Sequence, residues 1–176
     1  SYDKIEKYVD ENDLKIDVVL LTHSHWDHIG NLSKIKEKYG CKIYVHKSDN
    51  KNLEEPGKDG IPTLGKINPI KADVFVEDEQ RINIGKVEID VLHTPGHSEG
   101  SVCYYLPKEK LLFSGDTLFK GSCGNVSFLN SDPEKMWRSL NRLSKLPKDV
   151  KVIPGHGDET TIGKESWIVD PESFFS

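Results

Sequence analysis

The apolar positions of this chain follow two rhythms. Ile5, Tyr8, Val9 and Leu14 recur at helical spacing and predict a short helix with a buried stripe. Residues 17–22 form a continuous apolar run, which predicts a fully buried strand. A polar cluster, His23 to His28, interrupts it. Ile29, Leu32, Ile35 and Tyr39 then resume helical spacing, and Gly40 marks a stop. Residues 42–45 read as a short strand. Residues 47–70 contain Pro56, Pro62 and Pro69 with Gly57, Gly60 and Gly65, and predict a loop with at most one helical turn. Strand-like runs follow at 73–76, 81–84, 87–92, 101–106 and 111–114, joined by tight turns such as Pro107-Lys108-Glu109-Lys110. Asp132 can cap a helix whose first position suits Pro133, with Met136, Trp137, Leu140 and Leu143 as its core face. Residues 150–153 give a last strand. This order predicts an α/β fold, with sheets covered by helices on their outer faces, in one domain over residues 1–176.

Composition narrows the function more than the fold. With 176 residues, 35% hydrophobic and 30% charged, the chain has enough length for a real core. Its net charge of −5 and lack of a basic patch argue against nucleic acid as a partner. The Lys34-Ile35-Lys36-Glu37-Lys38 run reads as a solvated helix face. No stretch of about 18 apolar residues is present, so no membrane span is expected. Cys41, Cys103 and Cys123 are odd in number and lack a Cys-x-x-Cys spacing, which points to a reducing, cytoplasmic setting without disulfides. No oligomeric state is specified by the pattern.

The chemistry concentrates at strand ends. His23-Ser24-His25-Trp26-Asp27-His28 follows the first strand directly. In extended backbone, His23 and His25 project to the same side, and Asp27 and His28 turn into the next helix. Thr94-Pro95-Gly96-His97, Ser114-Gly115-Asp116-Thr117 and Pro154-Gly155-His156-Gly157 each follow another strand. Imidazole and carboxylate are ligands that zinc, iron and manganese accept. A single strand-end histidine is ordinarily structural; four such loops with the same donor chemistry predict a metal site. His46, His93 and Cys123 are expected to be structural, with an outer supporting role open to His93. Trp26 either lines the mouth of the site or packs, and Trp137 is expected in the core.

Together these motifs resemble the metallo-β-lactamase superfamily, and within it the glyoxalase II-like hydrolases. The stretches that carry the likeness are Thr94 to Leu106, Leu112 to Phe119 and Pro154 to Gly163. The resemblance implies an αββα sandwich and two divalent metal ions, zinc foremost and iron or manganese otherwise. It implies His23, His25 and His97 on the first ion, Asp27, His28 and His156 on the second, and Asp116 between them. It further implies hydrolysis of a small-molecule thioester or ester by a metal-bridging hydroxide, with Asp27 orienting the nucleophile or taking its proton. A bridging anion between two cations would screen their repulsion.

The chain also departs from that pattern. Family members carry strands ahead of the first helix, so a further segment of roughly 20 to 30 residues, or a separate chain, is expected to supply them. Only 20 residues follow His156 (176 − 156), too few for the helical domain of glyoxalase II that helps hold glutathione. Asn125 stands where that enzyme has a basic residue. Two rival functions follow: a persulfide dioxygenase with one iron, which would not need His28 and His156, and a non-catalytic metal-binding domain. A β-lactamase of the commonest subclass would carry Cys in place of Asp116.

Overall fold

The computed structural model describes residues 2–175. Its first sheet holds β1 (Val18–Leu20), β2 (Lys42–His46) and β3 (Val74–Val76), paired in parallel in that order. Parallel neighbours need a crossover. Between β1 and β2 it is made by α2 (Trp26–Ile29) and α3 (Leu32–Tyr39), and between β2 and β3 by α4 (Asn50–Glu54) and irregular chain. The second sheet runs β4 (Arg81–Ile84), β5 (Val87–His93), β6 (Val102–Leu106), β7 (Leu111–Gly115), β8 (Lys151–Pro154) and β9 (Thr160–Thr161), antiparallel except for β7 against β8.

Strand alternation turns these two sheets into a four-layer structure. Ile43 and Val45 of β2 pack with Leu21, Ile29, Leu32 and Leu53 on the helical side. Tyr44 and Leu20 point the other way, onto Ile82, Ile89, Val91, Val102 and Tyr104 of the second sheet. On the far side of that sheet, Cys103, Leu112 and Val152 meet Met136, Leu140 and Leu143 of α5 (Pro133–Leu143). The layers are therefore helix, sheet, sheet, helix, the αββα sandwich that the family resemblance implies. Each fully buried Leu or Met of α5 contributes about 1.5–3 kcal/mol. Asp132 caps that helix by accepting from the Lys135 backbone N–H at 3.0 Å.

Several expectations need correction. The first helix, α1 (Tyr2–Glu11), forms, but its apolar stripe is not buried: Ile5, Tyr8 and Leu14 are exposed and only Val9 is buried. The helix is tied to α3 by Lys38 reaching Glu6 at 2.7 Å. β1 is half-buried rather than fully buried and has one partner strand among the described residues. The helix predicted from Ile29 begins earlier and breaks at Gly30-Asn31 into α2 and α3; Gly40, left-handed at φ 65°, ends it as expected. Trp137 is half-buried and stacks on Phe175 of α6 (Pro171–Phe175), a helix that periodicity did not reveal. No described helix is long and apolar enough to cross a membrane.

Candidate metal centre

All four ligand loops arrive at one end of the sandwich. The loop after β1 delivers His23 and His25, and α2 carries Asp27 and His28. The turns after β5, β7 and β8 deliver His97, Asp116 and His156. Donor atoms of His23, His25 and His97 lie within 4.8 Å of one another. The same holds for Asp27, His28 and His156, and for His23, His28 and Asp116. All seven residues singled out in the sequence thus meet in one cluster. His46 and His93 lie apart from it, stacked on each other at 4.2 Å between ring centroids.

Asp116 stands between the two triads. Its Oδ1 is 3.4 Å from His28 Nε2; its Oδ2 is 3.4 Å from His97 Nε2 and 3.6 Å from His156 Nε2. Asp27 Oδ2 reaches His156 Nε2 at 3.0 Å and His28 Nε2 at 3.6 Å. Gly155 explains how β8 comes so near: a Cβ there would collide with Asp116 Oδ1 and lie 2.9 Å from His28 Cε1. Gly124 plays the same part on the other side, where a Cβ would collide with the Asp116 carbonyl oxygen and lie 2.8 Å from His97 Nδ1. Gly155 and Gly124 are thus required by close approach rather than by a left-handed backbone.

The donor set fits a cation. His23 Nε2, His28 Nε2 and Asp116 Oδ1 are buried and have no hydrogen-bond partner, an arrangement that costs free energy unless something positive satisfies them. His97 Nδ1 donates to the Asn125 carbonyl at 2.8 Å, which leaves the lone pair of Nε2 directed at the cluster. That Nε2 lies 2.8 Å from His25 Nδ1. Burial, reinforced by the surrounding imidazoles, holds His23 well below its ordinary pKa. Burial lowers His25, and burial with His25 lowers His97, so these rings stay neutral and able to ligate. Burial also pulls on His28, but the Asp116 and Asp27 carboxylates outweigh it and leave that imidazole above its usual value. The Asp116 carboxyl, pushed up by burial, is brought below its usual value by His28, His97 and His156.

Cys123 falls outside the chemistry. Burial pushes the Cys123 thiol up to about 11, so it is protonated at neutral pH and makes a poor nucleophile. Trp26 is half-buried. Two contributors went unnoticed in the sequence. Phe128 sits edge-on to His25 and His97, with centroids at 5.7 and 5.8 Å. Asp49 lies beneath the first two ligand loops; its only local signal is an acidic residue just after a strand.

Comparison with known proteins agrees with this geometry. A family model described as the metallo-beta-lactamase superfamily matches residues 1–156. The probable metallo-hydrolase YqgX of Bacillus subtilis is 36% identical over 162 residues, which cover 90% of this chain and 77% of that protein. The hydroxyacylglutathione hydrolase GloC of Haemophilus influenzae is 31% identical over 169 residues, covering 93% and 79%. The crystal structure of BLEG-1 B3 metallo-beta-lactamase is 35% identical with a TM-score of 0.85, covering 93% of this chain and 80% of its own. TTHA1623 in a di-iron-bound form is also 35% identical, with a TM-score of 0.82 and coverage of 94% and 82%. Kinship over most of both partners' length, on a fold that places the motif residues together, shows that the chain belongs to the metallo-beta-lactamase superfamily.

Proposed function

We propose that this chain is a metal-dependent hydrolase that cleaves a thioester or ester of a small molecule, with two divalent ions at the Asp116 cluster. The observation that carries this reading is the position of Asp116, whose two oxygens face both triads at 3.4–3.6 Å. His23, His25 and His97 would hold one ion, Asp27, His28 and His156 the other, and Asp116 would serve both. Ions bound there supply Lewis acidity and bring the pKa of water toward neutrality. Zinc suits the donor set; the di-iron relative makes iron the alternative. Asp27, with about a third of its side chain exposed and 3.0 Å from His156, is placed to orient an attacking group or accept its proton at Oδ2. Phe128 shields the first triad from solvent on one side. A cavity of about 470 Å³ beside His25, lined by Ser24, Asn52, Asp59, Ser131 and Lys135, gives room for a small polar substrate. The free thiols of Cys41, Cys103 and Cys123 suit a cytoplasmic setting.

The hydroxyacylglutathione hydrolase relative favours thioesters. The B3 metallo-beta-lactamase neighbour favours a second reading, β-lactam opening at the same site. An assay of the metal-loaded protein on S-lactoylglutathione, simpler thioesters and a chromogenic β-lactam separates them. Thioester turnover that is lost on chelation and restored by metal is expected. Turnover of the β-lactam alone would give the second reading; a loaded protein inert on the whole panel would leave a non-catalytic metal-binding domain.

A further inference from the structure

We propose that Asp49 is a positioning residue that sets the geometry of the first triad, an inference that rests on the two-metal reading above. Asp49 is buried and lies at the entry to α4, outside all four ligand motifs. Its Oδ2 accepts from the Ser24 backbone N–H at 2.8 Å, the Ser24 hydroxyl at 3.1 Å and the Ser98 hydroxyl at 3.1 Å. Its Oδ1 accepts from the Gly100 N–H at 2.7 Å. Ser24 is the residue between His23 and His25, and Ser98 follows His97. One carboxylate therefore ties together the two loops that carry all three histidines of the first triad, meeting them at Ser24, Ser98 and Gly100, and none of its bonds reaches the turns that carry Asp116 and His156.

Two neighbours show that this brace is built. Asn52, one turn further along, donates from Nδ2 to the Ser24 carbonyl at 2.5 Å, so both the N–H and the C=O of Ser24 are held by side chains of one short segment. Gly100 leaves room for the carboxylate: a Cβ there would collide with Asp49 Oδ1 and lie 2.7 Å from the Asp49 backbone nitrogen. All four groups that Asp49 receives are donors. An asparagine of the same shape would turn one oxygen into an NH₂ that faces a donor, so the brace needs a carboxylate and not only its volume. Across the two braced loops, His25 Nδ1 and His97 Nε2 face each other at 2.8 Å.

The test is a Co(II) titration of the full chain, followed by visible absorption and by competition with a chelator, with folding checked by circular dichroism. The wild type is expected to bind two equivalents. Asp49→Asn is expected to bind one equivalent as before and the other roughly 10–100-fold more weakly, the loss typical of removing an outer partner of a ligand. Gly100→Ala, which crowds the same carboxylate without altering it, should give the same selective loss and serves if Asp49→Asn fails to fold. Two unchanged affinities in a folded variant overturn the positioning role, as does equal weakening of both sites. A wild type that takes up no Co(II) removes the two-metal reading itself, and this inference with it.

Discussion

The two triads differ most in their contact with water. His23, His25 and His97 are 1%, 5% and 4% exposed, whereas His156 of the second triad has 53% of its side chain exposed. The first is braced from outside by Asp49 and by the Asn125 carbonyl. The second rests on α2 and on the turn after β8, with Asp27 and His156 open at the mouth. A buried, braced triad suits permanent holding of an ion; an open one suits exchange and access of substrate. Asp116 lies between them, 3.4–3.6 Å from His97 of the first and from His28 and His156 of the second.

Asp116→Ala strikes both triads and should have the largest effect. Turnover is expected to vanish and both metal occupancies to fall, read by a thioester assay with metal analysis on the same sample. Unimpaired hydrolysis by that variant would remove the shared role. Single substitutions should then split the triads. His97→Ala opens a buried triad and should weaken metal by more than the roughly 10–100-fold typical of an outer partner. His156→Ala removes a half-exposed ligand and should cost less, leaving one tightly held ion. Equal losses in chelator competition would contradict the distinction.

Acid should separate them too. His23, His25 and His97 are held below 6.5, chiefly by burial, so protons displace metal from them only at lower pH. His28, pulled down by burial but raised further by Asp116 and Asp27, accepts a proton above 6.5. Metal bound at the second triad should therefore leave first as the pH falls, as measured by metal content after rapid gel filtration. Without metal, the three lowered imidazoles favour the fold above 6.5, and this stability is lost as pH drops toward their folded values, because the unfolded chain takes up those protons first. His28 acts in the opposite sense, favouring the fold at low pH until the pH rises through its raised value. The smallest effect is expected of Cys123→Ala, which should leave kcat within about twofold, since a thiol near 11 takes no part at neutral pH.

Legibility in the sequence followed the range of the interactions. Each ligand loop announced itself within a few residues of a strand end, so His23, His25, Asp27, His28, His97, Asp116 and His156 could be grouped from their local motifs alone. The Asp132-Pro133 start of α5 and the run at Arg81–Ile84 were equally local and correspond to the observed elements. Asp49 was invisible because its partners lie 25, 49 and 51 residues away and meet it only in the folded chain. The stripe of α1 misled because periodicity reports an apolar face and not what covers it. Trp137 packs against the core as its helical spacing predicts, but at its edge, half-buried and stacked on Phe175.

Two ions acting at one shared carboxylate are the centre of the proposed chemistry. The most direct measurement is thioester hydrolysis by the metal-free chain as zinc is added in counted equivalents. Activity that climbs to a plateau at two equivalents is predicted. A plateau at one, with the second ion bound but without effect on turnover, would contradict it.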